Sequence, residues 1–213
     1  MKTRLIFFDL DDTLYRRETG VWQAIRGRIE GYMHERLHIP RSRVPSLRAD
    51  YLATYGSSLR GLMENYQVDP DDYLLYVHDV PIEALLRPSA NLAKMLSALP
   101  QAKWVFTNAS LAHARRVLAA LGSSQFFAGI VDIKSMGYTN KPEEAAYRLA
   151  LKAAGEDDPA GALFVDDQGV NLEPAKRLGA ATVLVGTREP HPAADHSILA
   201  VELLPQVISG LVE

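Results

Sequence analysis

Short apolar runs alternate with amphipathic stretches along most of the chain. Three runs are apolar throughout and end in polar residues, which is typical of strands buried on both faces of a parallel sheet. These runs are residues 5–8, 104–106 and 163–165, and residues 130–133 and 182–185 are weaker candidates for strands.

Helical patterns fill the intervals between the later strands. Helices are predicted over residues 111–121, 143–154 and 172–178. Each is followed directly by a glycine, the residue favoured in the left-handed conformation that ends many helices. Strands that alternate with helices of about 10–15 residues form right-handed βαβ units. The pattern therefore predicts an α/β fold with a doubly wound parallel sheet.

Residues 16–85 break this rhythm, because they contain no convincing strand. Apolar residues recur at spacings of three and four from residue 22 to residue 37, which predicts an amphipathic helix. The sequence thus predicts a smaller all-helical domain at 16–85, inserted after the first strand of a core made of residues 1–15 and 86–213. We call residues 16–85 the helical insert.

The composition narrows the class of protein. The 213 residues carry a formal net charge of −3 and include no cysteine, which excludes disulfides, thiolate metal sites and cysteine nucleophiles. No apolar run approaches the roughly 18–20 residues of a transmembrane helix, so we expect a cytoplasmic protein with no membrane partner. A nucleic acid polymer is not an expected partner either, because proteins that bind one usually present a strongly basic face. The sequence does not indicate an oligomeric state.

Acidic residues follow two of the predicted strands. Asp9 and Asp11 come after the first strand, and Asp166 and Asp167 come directly after the strand at 163–165. Because parallel strands end at the same edge of a sheet, we expect these carboxylates to lie close together. A cation would relieve their mutual repulsion, and oxygen ligands without cysteine favour Mg²⁺.

Further polar residues lie at the ends of predicted strands or directly before a predicted helix. Thr107 and Asn108 come directly after the strand at 104–106, and Lys141 precedes Pro142, the expected first residue of a helix. Taken singly, Thr107 can be read as a helix cap and Lys141 as a surface lysine. Taken together with the acids, they place a hydroxyl, an ammonium group and four carboxylates at one sheet edge.

Four segments resemble the four motifs of the haloacid dehalogenase superfamily of phosphatases: DLDDTLY, TNA, the Lys-Pro pair and VDDQGVNLEPAKRLGA. The resemblance spans the chain and implies that the helical insert is a mobile cap over the site. It also implies that Asp9 is a nucleophile that forms an aspartyl phosphate. Asp11 is then the general acid and base, with an apparent pKa near the working pH, and its backbone carbonyl binds Mg²⁺ together with Asp9.

The same resemblance implies roles for the other residues at the sheet edge. The groups expected to hold the phosphate oxygens are Thr107, Asn108, Lys141 and the backbone N–H groups that follow Asp9. The expected third metal ligand is Asp167, with Asp166 and Asn171 orienting it or a metal-bound water.

Two segments of the insert and its return to the core, YGSSLRGL (55–62) and YVHDVPIEALLRP (76–88), resemble the pyrimidine 5′-nucleotidase-like subgroup. This implies a small phosphorylated metabolite as substrate, namely a nucleoside 5′-monophosphate with a pyrimidine preferred. Tyr55, Arg60 and His78 are the expected contacts to the substrate; the alternative is that Tyr55 packs inside the insert and Arg60 is solvated. The remaining histidines show no metal-ligand spacing and are interpreted as surface or core residues: His34, His38, His113, His191 and His196.

Other functions remain open at this point. Sugar phosphates or other small phosphoesters are alternative substrates. A phosphoacceptor signalling domain also places acids, a threonine and a lysine at a sheet edge, but its acidic residues come in a different order along the chain. A catalytically inactive binding protein is a further alternative. The dehalogenases of the superfamily lack the second carboxylate of the first motif, so Asp11 and Thr13 favour a phosphatase.

Overall fold

The structure is a computed structural model, and it describes residues 3–208. Its strands are β1 (Leu5–Phe8), β2 (Ala102–Phe106), β3 (Gly129–Val131), β4 (Ala162–Asp166), β5 (Ala181–Val185) and β6 (His196–Ile198). Within the described residues they form one six-stranded sheet in the order β3-β2-β1-β4-β5-β6, and every pair is parallel. The predicted doubly wound parallel sheet is confirmed.

The helices lie between the strands along the chain. They are α1 (Val21–Glu35), α2 (Val44–Tyr55), α3 (Ser58–Tyr66), α4 (Pro70–Val77), α5 (Ile82–Leu85), α6 (Ala90–Ala98), α7 (Leu111–Ala120), α8 (Glu144–Ala153), α9 (Gly169–Arg177) and α10 (Leu204–Ile208). Helices α1 to α5 follow β1, as expected for a helical insert. The exact division of the chain at residues 15 and 85 stays a prediction. No helix among residues 3–208 is long and apolar enough to span a membrane.

The central strand β1 sets the position of the site. All four of its residues are buried, and Phe8 is level with Val105 of β2 and Val165 of β4. The ring of Phe7 stacks on Phe164 with 4.9 Å between centroids. Because the three strands are in register and parallel, the chain leaves all of them at the same edge of the sheet.

Several predicted boundaries are wrong in detail. The strand at 130–133 is β3, which covers residues 129–131, and β6 was not predicted because its sequence, His-Ser-Ile, is too short and polar to show a strand pattern. Pro142 is not the first residue of a helix: Glu143 has extended backbone and α8 begins after it. The predicted helix at 172–178 begins earlier, at Gly169.

The insert is held together by its own helices. The rings of Tyr32 in α1 and Tyr73 in α4 meet edge to face, with 5.1 Å between centroids. Helix α3 lies against α2 so closely that a Cβ on Gly61 would stand 2.3 Å from the ring of Tyr51. The helices of the insert thus pack on one another, and their buried apolar residues join those of the sheet in one hydrophobic core.

Candidate active site

A cavity of about 170 Å³ lies between the carboxyl edge of the sheet and the helical insert. The sheet side contributes the polar residues Asp9, Asp11, Thr107, Asn108, Lys141, Asp167 and Asn171. The insert side is mainly apolar and aromatic, and includes Trp22, Ile25, Ile29, Tyr73, Leu74 and Val77. The sequence-predicted residues of the sheet edge are thus brought together in space, facing an apolar wall.

Asp9 lies at the centre of the polar side. Its backbone N–H donates to the carbonyl of Val165, which ties the residue to the end of β4. Its carboxylate accepts a 2.7 Å hydrogen bond from Lys141 Nζ and a 3.0 Å bond from Thr13 Oγ1. Burial raises the pKa of Asp9 to about 7; Lys141 opposes the rise, while Asp166 contributes to it.

Lys141 is buried between two carboxylates. Its Nζ lies 2.7 Å from Asp9 Oδ1 and 2.7 Å from Asp166 Oδ2. Burial opposes the charged form of the lysine, but the charges of Asp166 and Asp9 outweigh it and raise the pKa of Lys141 above its ordinary value. The amide of Asn108 fixes the lysine backbone, because its Oδ1 accepts from Lys141 N and its Nδ2 donates to Lys141 O.

Asp9, Asp166 and Asp167 form the acidic cluster of the site. Each offers one oxygen, and these oxygens all lie within 4.8 Å of one another. Burial, together with the charges of Asp9 and Asp166, raises the pKa of Asp167 to about 8. Such oxygens fit a hard divalent cation such as Mg²⁺, which would relieve the repulsion that raises these pKa values.

Asp166, the last residue of β4, and Asp167, which follows it, differ in how many hydrogen-bond donors they contact. Asp166 accepts from Lys141 Nζ, Asn171 Nδ2 and the backbone N–H of Gln168. Asp167 contacts only the exposed Arg17 guanidinium, at 3.3 Å, among the side chains of residues 3–208. This difference favours Asp167 as the metal ligand, with Asp166 and Asn171 holding the surroundings in place, as the sequence resemblance implies.

Asp11 is held by two donors on one oxygen. Tyr15 Oη lies 2.5 Å from Asp11 Oδ1, and His113 Nε2 lies 2.8 Å from the same atom. Burial opposes ionisation of Asp11, but His113 and Tyr15 outweigh it and hold the pKa of Asp11 below its ordinary value. The expectation of a pKa near the working pH is therefore wrong for this arrangement of the protein.

The loop after β1 leaves backbone donors beside Asp9. Within residues 3–208, the amides of Leu10, Asp11 and Asp12 donate to no protein acceptor. The loop turns sharply at Asp12, whose φ is +60°. Thr107 Oγ1 accepts from Ala109 N, so its hydroxyl hydrogen remains available to a ligand in the cavity.

The three residues predicted to contact the substrate lie in different places. His78 lines the cavity, whereas Tyr55 and Arg60 are not among its lining residues. The ring of Tyr55 packs on Tyr51, and Arg60 pairs with Glu64 one turn further along α3 at 2.9 Å. Both side chains therefore contact residues of the insert.

Three site residues were missed by the sequence reasoning. Tyr15 and His113 bind Asp11, and Asn140 ties the loop before Lys141 to the insert. Tyr15 could have been noticed from its place four residues after Asp11. His113 could have been noticed from its place in the first turn of the helix after TNA, a turn that starts at the sheet edge.

The comparisons with known proteins show the family of the chain. The model of the haloacid dehalogenase-like hydrolases matches residues 3–179, and the chain belongs to this family. Phosphate metabolism protein 8 of Saccharomyces cerevisiae is 28% identical over 195 residues, which are 85% of this chain and 61% of that protein. The chain thus spans less than two thirds of that relative's length.

Two further similarities cover nearly whole chains. A glyceraldehyde 3-phosphate phosphatase of Methanocaldococcus jannaschii is 24% identical over 225 residues, which are 97% of this chain and 97% of that protein. The crystal structure of an HAD phosphatase from Thermococcus onnurineus superposes with a TM-score of 0.66 at 18% identity, over 100% of both chains. The likeness in structure shows the fold. The predicted pyrimidine 5′-nucleotidase-like subgroup is not decided by these similarities and stays a prediction.

Proposed function

We propose that this protein is a Mg²⁺-dependent phosphomonoesterase that works through an aspartyl phosphate on Asp9. The observation that carries the proposal is the placement of the Asp9 carboxylate at 2.7 Å from Lys141 Nζ, inside a cluster of acids that fits a divalent cation. Phosphoryl transfer depends mainly on positioning and on neutralising charge, and this arrangement supplies both.

The first chemical step breaks the ester. A carboxylate oxygen of Asp9 attacks phosphorus, the bond from phosphorus to the ester oxygen breaks, and the leaving oxygen takes a proton from Asp11. Because the pKa of Asp11 is lowered, only the fraction of the protein in which Asp11 is protonated carries out this step. In the second step, water attacks the acyl phosphate and gives a proton back to Asp11. The bond between phosphorus and Asp9 then breaks, so that phosphate leaves and both acids return to their starting states.

Charge on the phosphoryl group is balanced by groups around Asp9. Lys141, the hydroxyl of Thr107 and the free backbone amides after Asp9 donate to the non-bridging oxygens. Asp9, the Asp11 backbone carbonyl and Asp167 would hold Mg²⁺, which lowers the repulsion between the nucleophile and the phosphate when bound. Asp166 keeps Lys141 in place from the opposite side.

For the substrate we propose a nucleoside 5′-monophosphate, with a pyrimidine preferred. The aromatic side chains of Trp22 and Tyr73 in the cavity wall support this, because aromatic faces stack on bases. Of the three predicted contacts, His78 has direct support from its position in the cavity, while Tyr55 and Arg60 would need a rearrangement of the insert to reach a base.

A compact phosphoester is the second candidate substrate. The cavity of about 170 Å³ is smaller than the roughly 300–1,000 Å³ typical of sites for drug-sized ligands, which favours a short leaving group. The archaeal relative that matches over nearly its whole length is named as a glyceraldehyde 3-phosphate phosphatase.

A panel of phosphomonoesters with and without Mg²⁺ tests both levels of the proposal. We expect phosphate release in Mg²⁺, its loss in EDTA and its return when Mg²⁺ is restored; full turnover in EDTA would refute the metal role. A preference for UMP and CMP over AMP and glycerol phosphate supports the nucleotide, whereas a preference for glyceraldehyde 3-phosphate supports the compact ester.

The insert residues can be tested on the same panel. If they recognise a base, replacing Trp22, His78, Tyr55 or Arg60 with alanine lowers kcat/KM for UMP more than for glycerol phosphate, whose leaving group also needs a proton. Equal losses on both substrates would assign the residue to folding or closure of the insert. Leu75, which is exposed on α4, offers a control position outside the cavity.

A further inference from the structure

His113 is a fully buried histidine in direct contact with Asp11. It lies in the first turn of α7, where its backbone N–H donates to the side chain of Ser110, the residue that caps this helix. Its imidazole side chain is 0% exposed, and its Nε2 is 2.8 Å from Asp11 Oδ1. A carboxylate can only accept a hydrogen bond, so Nε2 carries the hydrogen.

Tyr15 donates to the same oxygen from the loop that carries Asp11, four residues further along the chain. Its hydroxyl is 2.5 Å from Asp11 Oδ1, and Tyr15 is itself buried in the core. Two donors, one from this loop and one from α7, therefore fix Oδ1. Within residues 3–208, Oδ2 of Asp11 accepts no hydrogen bond, and Asp11 lines the cavity.

A second histidine ring packs flat against the imidazole of His113. His78, the residue that follows α4, stacks on it with 4.4 Å between ring centroids and an angle of 19° between the planes. His78 is itself anchored, because its Nδ1 lies 3.0 Å from Ser110 Oγ and its carbonyl accepts from Arg116. The stack leaves His113 little freedom to rotate away from Asp11.

We propose that His113 is a positioning residue for Asp11: together with Tyr15 it holds Oδ1, so that Oδ2 is presented to the oxygen of the leaving group. The role rests on the proposed phosphatase function and specifies how its acid and base is oriented. His113 does not touch the reacting atoms. It acts through the orientation of the Asp11 carboxyl group.

Leaving groups that differ in their need for a proton provide the test. The p-nitrophenolate group leaves without protonation, whereas the alkoxide of glycerol phosphate needs the proton of Asp11. We expect His113→Leu to lower kcat/KM for glycerol phosphate by about 10²-fold, with a much smaller loss for p-nitrophenyl phosphate. His113→Gln restores most of the loss, since its amide Nε2–H can replace the imidazole donor.

Trapping of the phosphoenzyme adds a second measurement. With p-nitrophenyl phosphate, His113→Leu forms the Asp9 acyl phosphate normally but hydrolyses it slowly, because the same carboxyl group acts as the base in that step. Acid quench should therefore recover more labelled protein from His113→Leu than from the wild type. His34→Leu is the matched control: His34 lies in α1 and contacts the carbonyl of Ile39, away from Asp11.

The outcomes separate the two levels of inference. A wild-type protein that releases phosphate from no ester of the panel refutes the proposed function and the positioning role with it. An active wild type in which His113→Leu loses equally on both esters, or behaves as His34→Leu does, overturns the positioning role alone. A loss of kcat/KM that is confined to glycerol phosphate, and that His113→Gln restores, supports the positioning role.

Discussion

At the scale of single residues, the site is governed by carboxylates that are close together and removed from water. Asp9 and Asp167 have raised pKa values, whereas Asp11 has a lowered one. The difference follows from their partners: Asp11 has two hydrogen-bond donors on one oxygen, while Asp167 faces two other acids. Each carboxylate is therefore suited to a different task in the same small volume.

The assignment of the nucleophile can be tested directly. Asp9→Asn should abolish phosphate release and leave the fold intact, because the amide oxygen is a poor nucleophile and the side chain keeps its shape. Asp11→Asn should lower turnover at least about 10²-fold by removing the proton donor. Acid quench with labelled substrate should show label on Asp9 in the wild type; label on another residue would contradict the assignment.

The pKa values predict how the stability of the metal-free protein depends on pH. The pKa of an aspartate in the unfolded chain is about 3.9. In the folded protein, burial raises the pKa of Asp9 to about 7 and that of Asp167 to about 8. Between the pKa of the unfolded aspartates and those of the folded ones, the native state binds more protons than the unfolded state. The free energy of unfolding therefore falls as pH rises through this range. The slope is at most about 1.4 kcal/mol per pH unit for each group.

Thermal unfolding in EDTA between pH 5 and pH 8 measures this effect. The melting temperature should fall across the range, and Asp167→Asn should flatten the fall, while Asp50→Asn on the exposed face of α2 should not. Added Mg²⁺ should stabilise the protein most at the high end of the range, where the carboxylates ionise most readily. A melting temperature that rises from pH 5 to pH 8 in wild type and in Asp167→Asn alike would contradict the raised pKa values.

At the scale of elements, the insert depends on one close contact between helices. Gly61 of α3 faces the ring of Tyr51 of α2, and a Cβ at this position would meet three ring atoms at 2.3–2.6 Å. Gly27 in α1 has no atom within 4 Å of the same added Cβ. The two glycines have ordinary helical backbone and differ only in what surrounds them.

This difference predicts opposite effects of one substitution. Gly61→Ala should destabilise the protein by about 1–3 kcal/mol, because an overpacked contact forces the helices or the ring to shift. Gly27→Ala should stabilise it by about 0.5–1 kcal/mol, because alanine reduces the entropy lost in forming a helix. Chemical denaturation of both variants measures this, and equal changes would contradict the close packing of α2 on α3.

At the scale of the whole molecule, Asn140 joins the insert to the loop that carries Lys141. Its Nδ2 donates to the carbonyls of Tyr55 and Lys141, and its Oδ1 accepts from Ser57 Oγ. Gly56 lies between Tyr55 and Ser57 and has a φ of +75°. A Cβ added to Gly56 would stand 2.8 Å from Asn140 Nδ2. The end of α2 thus sits directly on the loop that carries Lys141.

Breaking this junction should loosen the insert over the site. We expect Asn140→Ala to lower the protection of backbone amides near residues 56–61 against hydrogen exchange and to raise KM, because the insert no longer closes firmly. Asn65→Ala is the control, since Asn65 donates to Gly61 and Tyr55, which both lie inside the insert. Unchanged exchange at residues 56–61 in Asn140→Ala would contradict a junction at this point.

The sequence by itself determined five of the six strands of the sheet and the residues at its edge. Buried strands are apolar throughout and end at polar residues, so Asp9, Thr107 and Asp166 could be placed together from the rule that parallel strands end at one edge. Only the tertiary structure decided which residues of the insert face the cavity. Tyr55 and Arg60 lie outside the cavity lining and His113 meets Asp11, because the rotation of packed helices depends on distant side chains rather than on local periodicity.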